Sequence, residues 1–66
     1  MSPKENIESY TGVRIPDVDP RDADQIAMAE GIAIDALHYA GMTPEQGEDL
    51  LRQLHSELGG RALQAV

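Results

Sequence analysis

The sequence predicts an all-α protein: a helical hairpin of two helices with an extended N-terminal arm, dimerising into a four-helix arrangement. Three observations predict it. Residues 20–41 carry apolar or small side chains on nearly every side, and between Gln25 and Gly41 only Glu30, Asp35 and His38 can hold charge. Gly41-Met42-Thr43-Pro44 joins a helix stop to a helix start. Leu50, Leu51, Leu54 and Leu58 then recur at helical spacing as a single apolar stripe, the pattern of a helix with one protected side.

The arm is expected over residues 1–19 and the hairpin domain over residues 20–66. Residues 1–6 read as a loose terminus. In residues 7–18, Ile7, Tyr10, Thr11, Val13, Ile15 and Val18 are strand-type residues, and Val13 and Ile15 alternate with Gly12 and Arg14, a period of two. Pro16 bars this run from the centre of a sheet. The arm is therefore either a strap over the helices or a strand paired with its copy in a second subunit.

Asp19-Pro20-Arg21-Asp22 predicts the start of the first long helix. Asp19 caps it, Pro20 takes the first helical position, and Asp22 and Asp24 lie in the positive first turn. The spacing of Asp17, Asp19, Asp22 and Asp24 lacks the glycine and closing glutamate of a calcium loop, so capping is the preferred role. This helix should run to Ala40, roughly 30 Å at 1.5 Å per residue. Ile26, Ala33, Leu37 and Ala40 line one face, widened by Ala23, Glu30 and Ile34. Met28, Ile32, Ala36 and Tyr39 line another. Ala27 and Gly31 are four apart, as are Ala29 and Ala33, and small residues at that spacing admit a second backbone. A mid-helix glycine costs about 1 kcal/mol relative to alanine, so Gly31 points to such an approach.

Gly41 ends that helix in the left-handed conformation. Thr43 caps the next, with Pro44 first and Gln46 completing a capping box. The second helix is expected from Pro44 to Leu58, stopped or bent by Gly59-Gly60, with Leu63 and Val66 available to bury in a last turn. Glu48 precedes Arg52 by four residues, the favourable order for a surface pair.

Five basic and twelve acidic side chains give a net charge of −7, spread along the chain. Such a charge repels nucleic acid and anionic membranes and favours a basic protein partner. There is no cysteine, which excludes disulfides and thiolate metal sites and fits a reducing cytoplasm. The first residues lack the apolar core of a signal peptide, and no uncharged run approaches the length of a membrane span. A chain near 60 residues buries only about 60% of its unfolded surface. With no disulfide and no metal expected, self-association is the remaining source of stability. Its expected contacts are Ile26, Met28, Gly31, Ile32, Ile34 and Tyr39.

Residues 36–54, ALHYAGMTPEQGEDLLRQL, resemble the helix-turn-helix core of DNA-binding repressors. Ala36 and Ala40 end the first helix, Gly41 makes the turn, Met42 is apolar, Thr43 caps and Leu50 faces back. The resemblance implies a recognition helix with Glu45, Gln46 and Asp49 near bases. Two departures oppose it. Leu37 stands where that family commonly has a small residue. The second helix also opens on Glu45, Glu48 and Asp49, with Arg52 its one cation, although DNA binders neutralise phosphate with Lys and Arg.

No catalytic, cofactor or metal signature is present. Asp35, Glu30 and His38 fall on one flank, but without a third positioned group or a walled pocket they read as a surface cluster near the helix end. The expected function is that of a non-enzymatic, cytoplasmic protein-binding module that inhibits or regulates a partner by occupying its basic, nucleic-acid-binding surface. Its acidic contacts would be Asp17, Asp19, Asp22, Asp24, Glu45, Glu48 and Asp49, with Tyr10 an anchor. In size and acidity the chain is similar in general character to inhibitors encoded by phages and mobile elements, such as anti-CRISPR proteins and DNA mimics. The alternative is an accessory subunit that docks through the apolar first helix. A DNA-binding regulator comes third.

Overall fold

A computed structural model describes the backbone of residues 2–64 and the side chains of residues 2–59. Among them lie three helices: α1 (Pro3–Thr11), α2 (Ala23–Tyr39) and α3 (Pro44–Gln64). The expected two-helix hairpin with an extended arm is therefore corrected to a three-helix fold.

The added helix has a local cause. Ser2 is the N-cap, Pro3 takes the first helical position, and the Glu5 amide donates to Ser2 Oγ at 3.2 Å. Ser2 Oγ in turn donates to Glu5 Oε1 at 3.3 Å. This capping pair nucleates a helix through residues whose side chains alone favour a strand. Gly12 ends it at φ +73°, its amide donating to the Glu8 carbonyl. Of the expected arm only a strap remains, residues 12–22. Its residues do not alternate as a strand's would: Ile15 is buried, whereas Val13, two positions away, is exposed. The Ile15 amide donates to Glu8 Oε2 at 2.8 Å, which ties the strap back to α1.

α2 begins three residues later than expected. Asp22, not Asp19, is its cap, accepting from the amides of Asp24 and Gln25 at 3.0 and 3.2 Å. Asp19 instead accepts from the Arg21 amide and closes the turn ahead of the helix. At the α2–α3 junction Gly41 and Thr43 take the expected roles, while no bond from the Gln46 side chain completes a capping box among the described residues. Gly41 adopts φ +83°, and Thr43 Oγ1 accepts from the Gln46 amide at 3.4 Å. α3 continues through Gly59 and Gly60 to Gln64. The glycines do not stop it; each costs only about 1 kcal/mol in a helix interior. The expected burial of Leu63 and Val66 lies outside the described residues.

α2 and α3 run antiparallel, and α1 packs on both. The core joins Ile7 of α1, Ile15 of the strap, Ala29, Ala33 and Leu37 of α2, and Leu54 and Leu58 of α3, with Ile26, Met42, Leu50 and Leu51 packed at its edge. The small residues Ala29 and Ala33 are the ones buried. A side chain added at Gly31 would meet nothing within 4 Å, so among the described residues no close approach occurs there.

Candidate functional site

The α2–α3 hairpin has two faces, and their fates differ. On one, α1 and the strap lie across the seam. Ile7 and Ile15 fill it, the Lys4 amide donates to Glu57 Oε1 at 3.4 Å, and the Lys4 ammonium pairs with Asp17. That ammonium donates to the Asp17 carboxylate and sits beside it, holding Asp17 below the usual carboxylate range. On the other face nothing from the described chain covers the seam. Glu30 of α2 reaches across it to His55 of α3. Glu30 is therefore held by α3, and it does not form the cluster with His38 that its sequence position suggests.

Beyond that clasp, toward the α2–α3 turn, the open face forms a groove of ≈ 350 Å³. Ile34, Leu37 and His38 supply the α2 wall, Met42 and Pro44 the turn end, and Gly47, Glu48 and Leu51 the α3 wall. Helical spacing explains the α3 wall. Gly47, Leu51, Leu54 and Leu58 follow at intervals of four, three and four, so they share the inward stripe. At Gly47 that stripe has no side chain. The residue is buried by its surroundings, yet a Cβ built on it would meet nothing within 4 Å. The space that a leucine at this position would fill belongs to the groove.

The acidic residues divide into two groups at opposite ends of the hairpin. Asp17, Asp19, Asp22 and Asp24 gather where α2 starts, and three of them have local partners: Lys4, the Arg21 amide and the α2 amides respectively. Asp24 is exposed. Glu45, Glu48 and Asp49 stand exposed on α3; Glu48 lines the groove, and Glu45 and Asp49 lie farther round on the outer side of the helix. Arg52 is shared between Glu48 at 3.4 Å and Asp49 at 3.9 Å, leaving an excess of negative charge on the exposed side of the first turns of α3.

The residues expected to self-associate also separate. Ile26 packs against the chain's own core, with Cδ1 3.5 Å from the Cβ position of Gly59. Ile34, 49% exposed, stands at the groove. Met28, Ile32 and Tyr39 share the opposite flank of α2, where Ile32 and Tyr39 border a shallow hollow with Val13 of the strap. Met28 is 67% and Tyr39 94% exposed. Gly31 lies between the two flanks, half-buried, and Tyr10 is exposed on α1.

Sequence reading missed the groove because its floor is defined by an absence, the missing side chain of Gly47. The one available signal was a glycine on the inward stripe of a helix that otherwise presents leucine there. Among the described residues no polar side chain is buried and no three metal-ligating side chains come together. No described helix is long and apolar enough to cross a membrane. No protein-family model matches the chain, and neither curated proteins nor solved structures give a match.

Proposed function

We propose that the chain is a non-enzymatic protein-binding module that occupies a basic surface of a partner protein through the open face of the α2–α3 hairpin. The observation that carries this reading is an uncovered apolar groove with Glu48 on its α3 wall, and Glu45 and Asp49 exposed farther round the same helix. Interfaces combine a desolvated apolar centre with a polar rim, and both parts are adjacent here. The carboxylates steer a basic partner toward the face and reject acidic ones, nucleic acid included. Where the partner's basic surface is one that holds nucleic acid, the module is an inhibitor or regulator of the kind phages and mobile elements encode. The absence of cysteine suits work in the cytoplasm.

The test is the binding of a synthetic Lys-rich helical peptide measured across ionic strength. Affinity should fall as salt rises, and reversing Glu45, Glu48 and Asp49 to lysine together should remove most of it. An affinity indifferent to both salt and charge reversal contradicts the reading.

A second reading is favoured by Tyr39 and Met28. Two large side chains so exposed on one α2 flank suit docking into a larger assembly, or onto a second copy in a two-fold dimer. Light scattering on the wild type and on a Met28→Ser/Tyr39→Ser double variant tests it. A wild-type dimer that the variant loses supports it; a monomer in both removes self-association.

The helix-turn-helix resemblance supports no proposal, since the carboxylates that would face DNA are exposed on α3 and would repel its phosphates.

A further inference from the structure

We infer that the groove between the C-terminal half of α2 and the first turns of α3 receives an amphipathic helix of the partner, with one apolar side chain set over Gly47, a Lys or Arg side chain meeting Glu48 on the groove wall, and the outer carboxylates Glu45 and Asp49 adding attraction for a basic chain; this rests on the binding role proposed for the same face.

The molecule supplies its own template. On the covered face, α1 lies across the same pair of helices as a nine-residue helix. It buries one large side chain, Ile7, completely, and its Lys4 amide donates to Glu57 of α3, while the Lys4 ammonium pairs with Asp17 of the strap. The open face offers the matching parts without the helix. Leu37, Met42 and Leu51 form apolar walls, the floor is vacant at Gly47, and the carboxylate of Glu48 stands on the α3 wall. A volume of ≈ 350 Å³ lies near the lower end of ligand pockets, roughly 300–1,000 Å³, and suits one or two side chains. Helices dock in such grooves through apolar anchors spaced three or four residues apart. The carboxylates select the charge of the occupant. Among the described residues Arg52 is the one cation paired with Glu48 and Asp49, so a basic helix gains attraction where an acidic one is repelled. A second copy of this chain, at −7, fits these carboxylates poorly.

Two labelled peptides test the inference by fluorescence anisotropy. Both are helical and rich in lysine; one carries leucines at i and i+4 on one side, and the other has serine in their place. The Lys/Leu peptide should bind the wild type more tightly than the Lys/Ser peptide does. Gly47→Leu, which fills the groove, should weaken the Lys/Leu peptide at least about tenfold, a free-energy difference near 1.4 kcal/mol, and leave the Lys/Ser peptide unchanged. Gly47→Ala should weaken the Lys/Leu peptide by a smaller factor while raising the melting temperature, so that affinity is lost from a more stable fold. The triple charge reversal should weaken both peptides. Equal binding of the two peptides, or no response to either Gly47 variant, overturns the groove and leaves the acidic face standing. Failure of both peptides to bind at millimolar concentration overturns the groove and the acidic face together. Groove resonances that move with protein concentration in the absence of peptide would assign the site to a second copy, and would overturn the partner helix.

Discussion

The two faces of the α2–α3 hairpin are built from the same helices and end differently. On the covered face, Ile7 and Ile15 descend into the seam and leave Ala29 and Ala33 fully buried. On the open face, the clasp between Glu30 and His55 is followed by a groove whose floor lacks a side chain. The covered face holds the fold together. The open face can change without unfolding it, and that is the freedom a binding surface requires. A small chain with a single core holds about 0.05–0.15 kcal/mol per residue, so the division should be plain in a mutational series.

The largest effects belong to the covered face. Ile7→Ala and Leu54→Ala each remove a fully buried side chain and should cost about 2–5 kcal/mol, enough to unfold a large fraction of the population. Ile34→Ala, made on the open face where the side chain is 49% exposed, should shift stability by no more than about 0.5 kcal/mol. Chemical denaturation followed by circular dichroism distinguishes them; equal costs would erase the distinction between the faces.

Helix entry comes next. Asp22→Ala removes the acceptor of the Asp24 and Gln25 amides and should cost about 0.5–2 kcal/mol, whereas Asp19→Ala leaves that cap intact and should cost less. The reverse order in thermal melts would return the start of α2 to Asp19. Gly47→Ala should be stabilising, by up to about 1 kcal/mol, because alanine favours the helix and its methyl group enters open space. A loss of stability at this position would mean that the groove is closed in solution.

The smallest effect is electrostatic. Lys4 lowers the pKa of Asp17 in the folded chain. The contribution of that pair is therefore present above the unfolded-state value and is lost as pH falls through the folded one. In urea titrations at neutral and strongly acidic pH, Lys4→Met should narrow the difference in midpoint slightly. Because Asp17 is exposed, solvent screening keeps the change small.

The parts of the fold legible in the sequence were those with strong local chemistry. Gly41 and the Thr43-Pro44 start give the α2–α3 turn, and the leucine stripe gives the inward side of α3. The capping pair of Ser2 and Glu5 was equally local, but the β-branched residues that follow it obscured the helix it starts. The prediction that α2 had more apolar surface than the chain could cover is answered in part. α1 and the strap cover one side, while Met28, Ile34 and Tyr39 stay exposed. The carboxylates of the candidate site were visible at once as residue types. Their division between two ends of the hairpin was not, because it depends on how α2 and α3 run against each other. The contact of Glu30 with His55 spans 25 positions, and the groove exists only once α3 folds back against α2. No periodicity within one helix encodes either.

The most direct test of the open face as a binding surface is an amide chemical-shift map of the labelled protein titrated with the Lys/Leu peptide. The account predicts shifts concentrated at Ile34, Leu37, His38, Met42, Gly47 and Leu51, with Ile7, Ile15 and Tyr39 nearly silent. Shifts centred instead on Met28, Ile32 and Tyr39, or spread evenly over the molecule, would contradict it.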